Sequence, residues 1–387
     1  MPLTRHLYAE DEVVAALQFC VLRGRCVEAV FWCEELLCSE MLEPLLVGLR
    51  RIWLHGFGIG ALNWFREFQR VAGREEVNWE EIIGLVVGLC RLGLSGRRDN
   101  TYLILAGSTA EAEQATFSIG PKGLRGADAY FVACVHQGRT ISAWRSLGLI
   151  TGNTVRIAAE KKHREAGLEA CDLLIEYPAL TVAALCLVKG EIAARLAEPV
   201  PGTLSEVERA RTDWEPLLGC KARRLYTIPP ECLYWLTERG AKSVYETSEK
   251  VLRGSLERPG KLWGSVFWDS VADAVGGWDA VRNDPEVRMD FYDTHFPDDI
   301  PDEWSVADRE VSHGRGALQP GAEPSAEKFL YNWFGKLPSA VIWNGFSSAC
   351  KGLAHIKTWE DTAQVSAQQQ QQPLNLVRLT RRVFRLL

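Results

Sequence analysis

The chain of 387 residues predicts an all-α fold: an irregular helical-repeat array of αα-hairpins, of the HEAT or armadillo kind, followed by a Trp-rich, loop-containing C-terminal region. Three observations carry this. The run from Val13 to Val21 places Val13, Ala16, Leu17, Cys20 and Val21 at three- and four-residue spacing, the period of a helix with one apolar face. Gly24 then follows Arg23, as a left-handed stop follows a cation in the last turn of a helix. A second helix runs on through Val27, Val30, Phe31 and Glu34 to Leu37.

The third observation is recurrence. Cys20-Val-Leu-Arg-Gly24-Arg-Cys-Val27-Glu-Ala29 matches Cys134-Val-His-Gln-Gly138-Arg-Thr-Ile141-Ser-Ala143 in register at cysteine, glycine, arginine, a β-branched residue and alanine. Looser copies end at Gly93, Gly190 and Gly240, and from Gly93 onward the stops are 45, 52 and 50 residues apart. One amphipathic hairpin cannot bury its apolar face alone, whereas stacked neighbours can. The competing explanation is a coincidence of glycine stops in an all-helical protein.

Further helices are expected over Met41–His55, Ala61–Val71 and Glu80–Leu92, with a polar break at Arg97–Asn100 and a Gly/Pro loop over Ser118–Gly126. Residues 1–197 form the expected N-terminal helical-repeat region. A Pro-rich linker at Glu198–Gly202 separates it from a C-terminal Trp-rich helical region, residues 203–361. A Gln-rich tether, 362–373, leads to a basic amphipathic tail helix, 374–387.

Composition narrows the function classes. A net charge of −6 argues against a dedicated nucleic-acid binder, though not against a local basic patch. The 14 Trp read as aromatic anchors between packed helices, or as hot spots of an interaction surface. The 11 Cys lie mostly in apolar runs, as reduced core thiols of a cytosolic or nuclear protein do. The charged N-terminus does not read as a signal peptide, and no stretch of 18 apolar residues lacks charge, so neither secretion nor a transmembrane helix is expected.

Few motifs carry chemistry. Gly56-Phe-Gly58-Ile-Gly60 lacks the spacing of a dinucleotide loop and the lysine of a phosphate loop, and reads as a helix-to-helix turn. Cys20, Cys26, Cys33 and Cys38 are spaced poorly for one metal ion. Lys161-Lys162-His163-Arg164 is a short basic patch, read as a solvated helix face. Asp298, Asp299, Asp302 and Glu303, flanked by His295 and His313, are the strongest acidic cluster. Such carboxylates hold a divalent cation or share acid–base work; Pro297 and Pro301 also place them at a helix start, where capping explains them. Tyr8 to Val14 approaches a Tyr-x4-Leu-apolar motif that binds the cap-binding initiation factor, with Val13 in place of leucine. In the tail, Leu376, Leu379, Val383 and Leu386 gather on one side of a helical wheel and Arg378, Arg381, Arg382 and Arg385 on the other, a pattern suited to a partner groove.

Several stretches resemble a family of uncharacterised proteins from nucleocytoplasmic large DNA viruses. They are Phe296-Pro-Asp-Asp-Ile-Pro-Asp-Glu-Trp304-Ser with Ser312-His-Gly, the opening Tyr8-Ala-Glu-Asp-Glu-Val13, Leu22-Arg-Gly24-Arg with Glu28-Ala-Val-Phe-Trp32, and Leu225-Tyr-Thr-Ile-Pro229. The resemblance implies a giant-virus protein acting in the host cytoplasm, the viral factory or the virion. It brings no catalytic residues. The expected function is a non-enzymatic scaffold binding viral or host proteins, with no cofactor or metal. Nucleic-acid association through the tail and the 161–164 patch is one alternative. A metal-dependent enzyme using the carboxylates of Asp298–Glu303 is another.

Overall fold

The computed structural model describes residues 2–95, 97–107, 126–150, 153–188, 190–200 and 262–295, with 202, 205 and 207–209. The acidic cluster Asp298–Glu303, His313, Gly240, the tether and the tail lie outside the described residues. Helices follow one another as α1 (Glu10–Arg23), α2 (Cys26–Cys38), α3 (Leu42–Gly56), a 3-10 turn Gly58–Ala61, α4 (Leu62–Ala72), α5 (Trp79–Leu94), α6 (Thr101–Gly107), α7 (Gly126–Gln137), α8 (Thr140–Ser146), a 3-10 turn Leu147–Leu149, α9 (Thr154–His163), α10 (Glu165–Leu173), α11 (Pro178–Leu185) and α12 (Glu191–Ala197). Further along the chain are α13 (Val266–Asp273), α14 (Gly277–Asn283) and α15 (Pro285–His295). Among the described residues the fold is all-α, and the one β-type pairing is an isolated bridge between Leu3 and Ala9.

Two compact units emerge. The first comprises Met1–Leu49, Glu75–Leu94 and Gly202–Phe329, and the second Arg50–Arg74, Ser95–Pro201 and Leu330–Leu387. Residues 1–197 therefore contribute to both.

In the first unit α1, α2 and α5 pack on one another. Their contact faces carry Val13, Leu17, Val21, Val30, Phe31, Leu36, Val86 and Leu89, all buried. Close approach is set by Gly93, deep in the last turn of α5. A Cβ there would lie 2.8 Å from the Val21 carbonyl oxygen, so only glycine lets α5 reach the end of α1. Gly93 is thus a contact point inside a helix and not the helix stop its position in the sequence suggested. Gly190 differs as well: its φ of +85° serves the entry into α12, not the exit from α11. The 45-, 52- and 50-residue spacings therefore do not mark equivalent stops.

Gly24 and Gly138 do correspond. Their φ angles are +68° and +71°. After α1, Gly24 N–H donates to Val21 O, Arg25 N–H to Cys20 O and Cys26 N–H to Gly24 O. After α7, Gly138 N–H donates to Val135 O, Arg139 N–H to Cys134 O and Thr140 N–H to Gly138 O. The first unit holds one of these hairpins and the second unit the other.

A smaller core in the first unit joins the N-terminal loop to α13–α15 through Leu3, Leu7, Leu262, Trp268, Ala272, Val281 and Phe291. Leu3 N–H donates to Ser265 Oγ at 2.7 Å, and the Trp268 indole donates to Thr4 O at 2.9 Å. Trp268 behaves as its chemistry requires, burying a large ring while placing its single donor on a partner.

The second unit centres on stacked aromatics. Trp53 and Phe65 lie face to face with centroids 3.8 Å apart, and Tyr177 meets both edge-on. The Trp53 indole donates to Ala61 O at 3.2 Å, tying α3 to the 3-10 turn through which Gly56–Gly60 leads into α4. Arg66 secures α12: its guanidinium donates to Asn63 Oδ1 and Leu196 O, each at 2.5 Å, and pairs with Glu169 of α10. Arg195 returns the contact to Ile59 O at 3.1 Å.

Candidate functional site

The sequence-derived candidates within the described residues divide into surface and core. Tyr8 is fully buried and meets Trp32 edge-on at 5.0 Å. Val13 and Val14 are buried too. The stretch Tyr8–Val14 is therefore core of the first unit and is not presented as a docking motif. His295 sits at the end of α15 with its ring against Phe291 at 5.0 Å and Trp268 at 6.0 Å, a packing role. Among the described residues Trp32, Trp53, Trp64 and Trp268 are among the largest fully buried side chains, as anchors between helices, whereas Trp144 and Trp263 are half-buried and Trp79 is 49% exposed.

The surface candidate is the basic stretch 161–164 in the second unit. Its first three residues occupy the last turn of α9, which packs against α7, α10 and α11. Helix C-termini leave carbonyls without intrahelical donors and carry partial negative charge. Two of the four bases answer that need. Lys162 Nζ donates to Val135 O of α7 at 2.6 Å, and His163 Nε2 lies 3.0 Å from Leu185 O of α11. The other two, Lys161 and Arg164, are exposed. Arg164 holds φ +52°, linking α9 to α10. Gly167 lets α10 fold back over that link, since a Cβ there would meet Ala159 O and His163 Cβ at 2.9 Å.

His136, in the last turn of α7, faces the same end and is exposed. Burial and then the charges of Lys162 and Lys161 hold its pKa below the usual range. Burial, Lys162 and His136 do the same to His163, against a counter-pull from the Leu185 carbonyl. Burial lowers Lys162 itself. Glu160 and Glu165 flank the stretch, yet no carboxylate forms an ion pair with His136, Lys161, Lys162 or Arg164 among the described residues. Crowded bases without countercharge form a surface that an anion would stabilise.

Sequence reasoning missed two buried polar sites. In the first unit His6 and Glu35 pair with both side chains out of solvent. In the second, His55 is fully buried, its pKa pushed down to about 3 by burial and by Arg51, and its ring lies 5.9 Å from that of Tyr102. Burial drives the Tyr102 and Tyr177 hydroxyls well above their usual range. Glu35 had a faint signal, a carboxylate inside the apolar run Ala29–Leu37. His55 had none, because nothing local distinguishes a buried histidine from an exposed one.

The cysteines give a different surprise. Cys26 and Cys33 of α2 converge with Cys20 of α1, and Cys90 of α5 completes the group from far along the chain. No group of His, Cys, Asp or Glu among the described residues has the arrangement of a metal site. No single helix among them is long and apolar enough to cross a membrane. No family model, curated protein or solved structure matches this chain.

Proposed function

We propose that this protein is a non-enzymatic interaction scaffold of a large DNA virus, binding viral or host proteins through the surfaces of its helical units and through the basic segment 374–387. One observation carries the reading: the hairpins α1–α2 and α7–α8 end their first helices with the same three hydrogen bonds about a left-handed glycine. A unit used twice in one chain supports an irregular HEAT- or armadillo-like array, an architecture that offers extended binding surfaces. The resemblance to proteins of large DNA viruses supports action in the host cytoplasm, the viral factory or the virion, as a virion component or as a translation or transcription adaptor. Fold alone does not choose among these.

The experiment compares the full chain with one lacking residues 368–387, both expressed in infected cells. The tail's partners are expected to vanish on deletion while thermal stability holds. An unchanged set of co-purifying proteins overturns the tail's role. A fall in stability assigns the tail to the protein's own body.

Nucleic-acid association is the second reading, favoured by Lys161 and Arg164, exposed at the end of α9. Binding of the full chain to DNA or RNA should weaken steeply with salt and fall further in Lys161→Glu/Arg164→Glu. Salt-independent or absent binding removes it.

A further inference from the structure

We propose that Cys26 and Cys90 form an intramolecular disulfide when the protein meets hydrogen peroxide, joining α2 to α5. The two residues are 64 positions apart in the numbering and belong to helices that pack directly on each other. Cys90 makes a side-chain hydrogen bond with Cys26, within the group that also holds Cys20 and Cys33. The end of α5 meets the turn into α2: a Cβ on Gly93, three residues after Cys90, would lie 3.8 Å from the Gly24 nitrogen, two residues before Cys26.

Access and electrostatics assign the roles. Cys20, Cys33 and Cys90 are buried, while Cys26 is half-exposed and is the one member of the group a peroxide reaches from solvent. It occupies the first helical position of α2, where aligned amides favour negative charge. Cys90 is fully enclosed, and burial first keeps its thiol protonated. Cys20 is occupied elsewhere: its S–H donates to Glu28 Oε2 at 3.7 Å, and burial followed by Glu28 keeps it protonated. Cys33 is fully enclosed and likewise held as the thiol, by burial first.

The chemistry balances without a cofactor. Cys26 sulfur attacks one peroxide oxygen, the O–O bond breaks, and hydroxide leaves and takes the Cys26 proton as water. Cys26 is then a sulfenic acid. Cys90 sulfur attacks the Cys26 sulfur, the S–O bond breaks, and the departing oxygen takes the Cys90 proton as a second water. Two thiols lose two electrons, and one peroxide gains them.

The test uses the full chain treated with near-stoichiometric hydrogen peroxide. Free thiols are then alkylated, and the protein is digested without reductant for peptide mass mapping. A Cys26–Cys90 linked peptide is expected, formed within single molecules and reversed by a thiol reductant. In Cys26→Ser the link disappears. In Cys90→Ser, Cys26 should instead stop as a sulfenic acid trapped by a 1,3-dione probe. The wild-type map decides even if the Cys90 variant misfolds. The proposal is overturned if both residues stay alkylatable, if Cys26 is found joined to Cys20, Cys33 or Cys38, or if the link joins two molecules.

Discussion

Glu35 accepts two hydrogen bonds from His6, one from the backbone N–H at 3.1 Å and one from Nδ1 at 2.5 Å. The pair fixes the N-terminal loop to α2. Ser39 extends the same clamp, accepting from Arg5 N–H at 2.9 Å and donating to Glu35 O at 2.6 Å. Burial by itself would push the Glu35 pKa up, but His6 and the hydrogen bonds from Thr4 and the His6 backbone hold it below the carboxylate's ordinary 4.5.

His6→Ala should therefore destabilise the protein by about 3 kcal/mol at neutral pH, because it takes the side-chain partner away from a buried carboxylate. Glu35→Gln keeps the shape and an acceptor, and should cost less, about 1–2 kcal/mol. The pH dependence has a definite sign. A depressed folded pKa contributes stability that is complete above the unfolded value near 4.5 and is lost as pH falls through the lower folded value. Urea unfolding at a series of pH values measures it. Wild type should lose stability below pH 4.5 more steeply than Glu35→Gln, and parallel curves would contradict this assignment.

Two glycines of α5 should respond in opposite directions to the same substitution. Alanine is the better helix former by about 1 kcal/mol. At Gly84 nothing lies within 4 Å of the added Cβ, so Gly84→Ala should stabilise. At Gly93 the Cβ meets the Val21 carbonyl at 2.8 Å, and a backbone atom cannot swing aside. Gly93→Ala should cost roughly 1–3 kcal/mol as α5 is forced off α1. Thermal denaturation of both variants settles it; stabilisation at Gly93 would show that α1 and α5 are not held this closely.

Gly24→Val and Gly138→Val should each destabilise by at least ~1 kcal/mol, since a β-branched residue tolerates positive φ poorly. At Gly24 the new Cβ also meets the Leu94 side chain, but Leu94 is exposed and can move, so the backbone strain is what both variants share. At Gly138 the nearest atom is Cys186 O at 3.3 Å. Unaltered melting in both variants would end the correspondence between the two hairpins.

Much of the fold was legible in local pattern. The helical period announced α1 through α5, and arginine and alanine about Gly24 and Gly138 announced two hairpins whose caps match bond for bond. Those features depend on residues within one or two turns of each other. The remaining glycines show the limit. Gly93 looked like Gly24 in sequence because both follow an apolar helical run. Yet one relieves a backbone clash with a distant helix and the other supplies a left-handed turn.

By itself, then, the sequence determined the helical class, the placement of the first five helices, the turn at Gly56–Gly60 and the two equivalent stops. These follow from period, capping and backbone freedom, which are properties of neighbours along the chain. Tertiary structure alone decided that Tyr8 is core, that His6 meets Glu35, that Lys162 and His163 are taken up by helix ends, and that the helix of Cys90 packs on that of Cys26. Each depends on which helices pack together. Burial sets the charge state of a histidine or thiol, and burial comes from residues tens of positions away that no local pattern encodes.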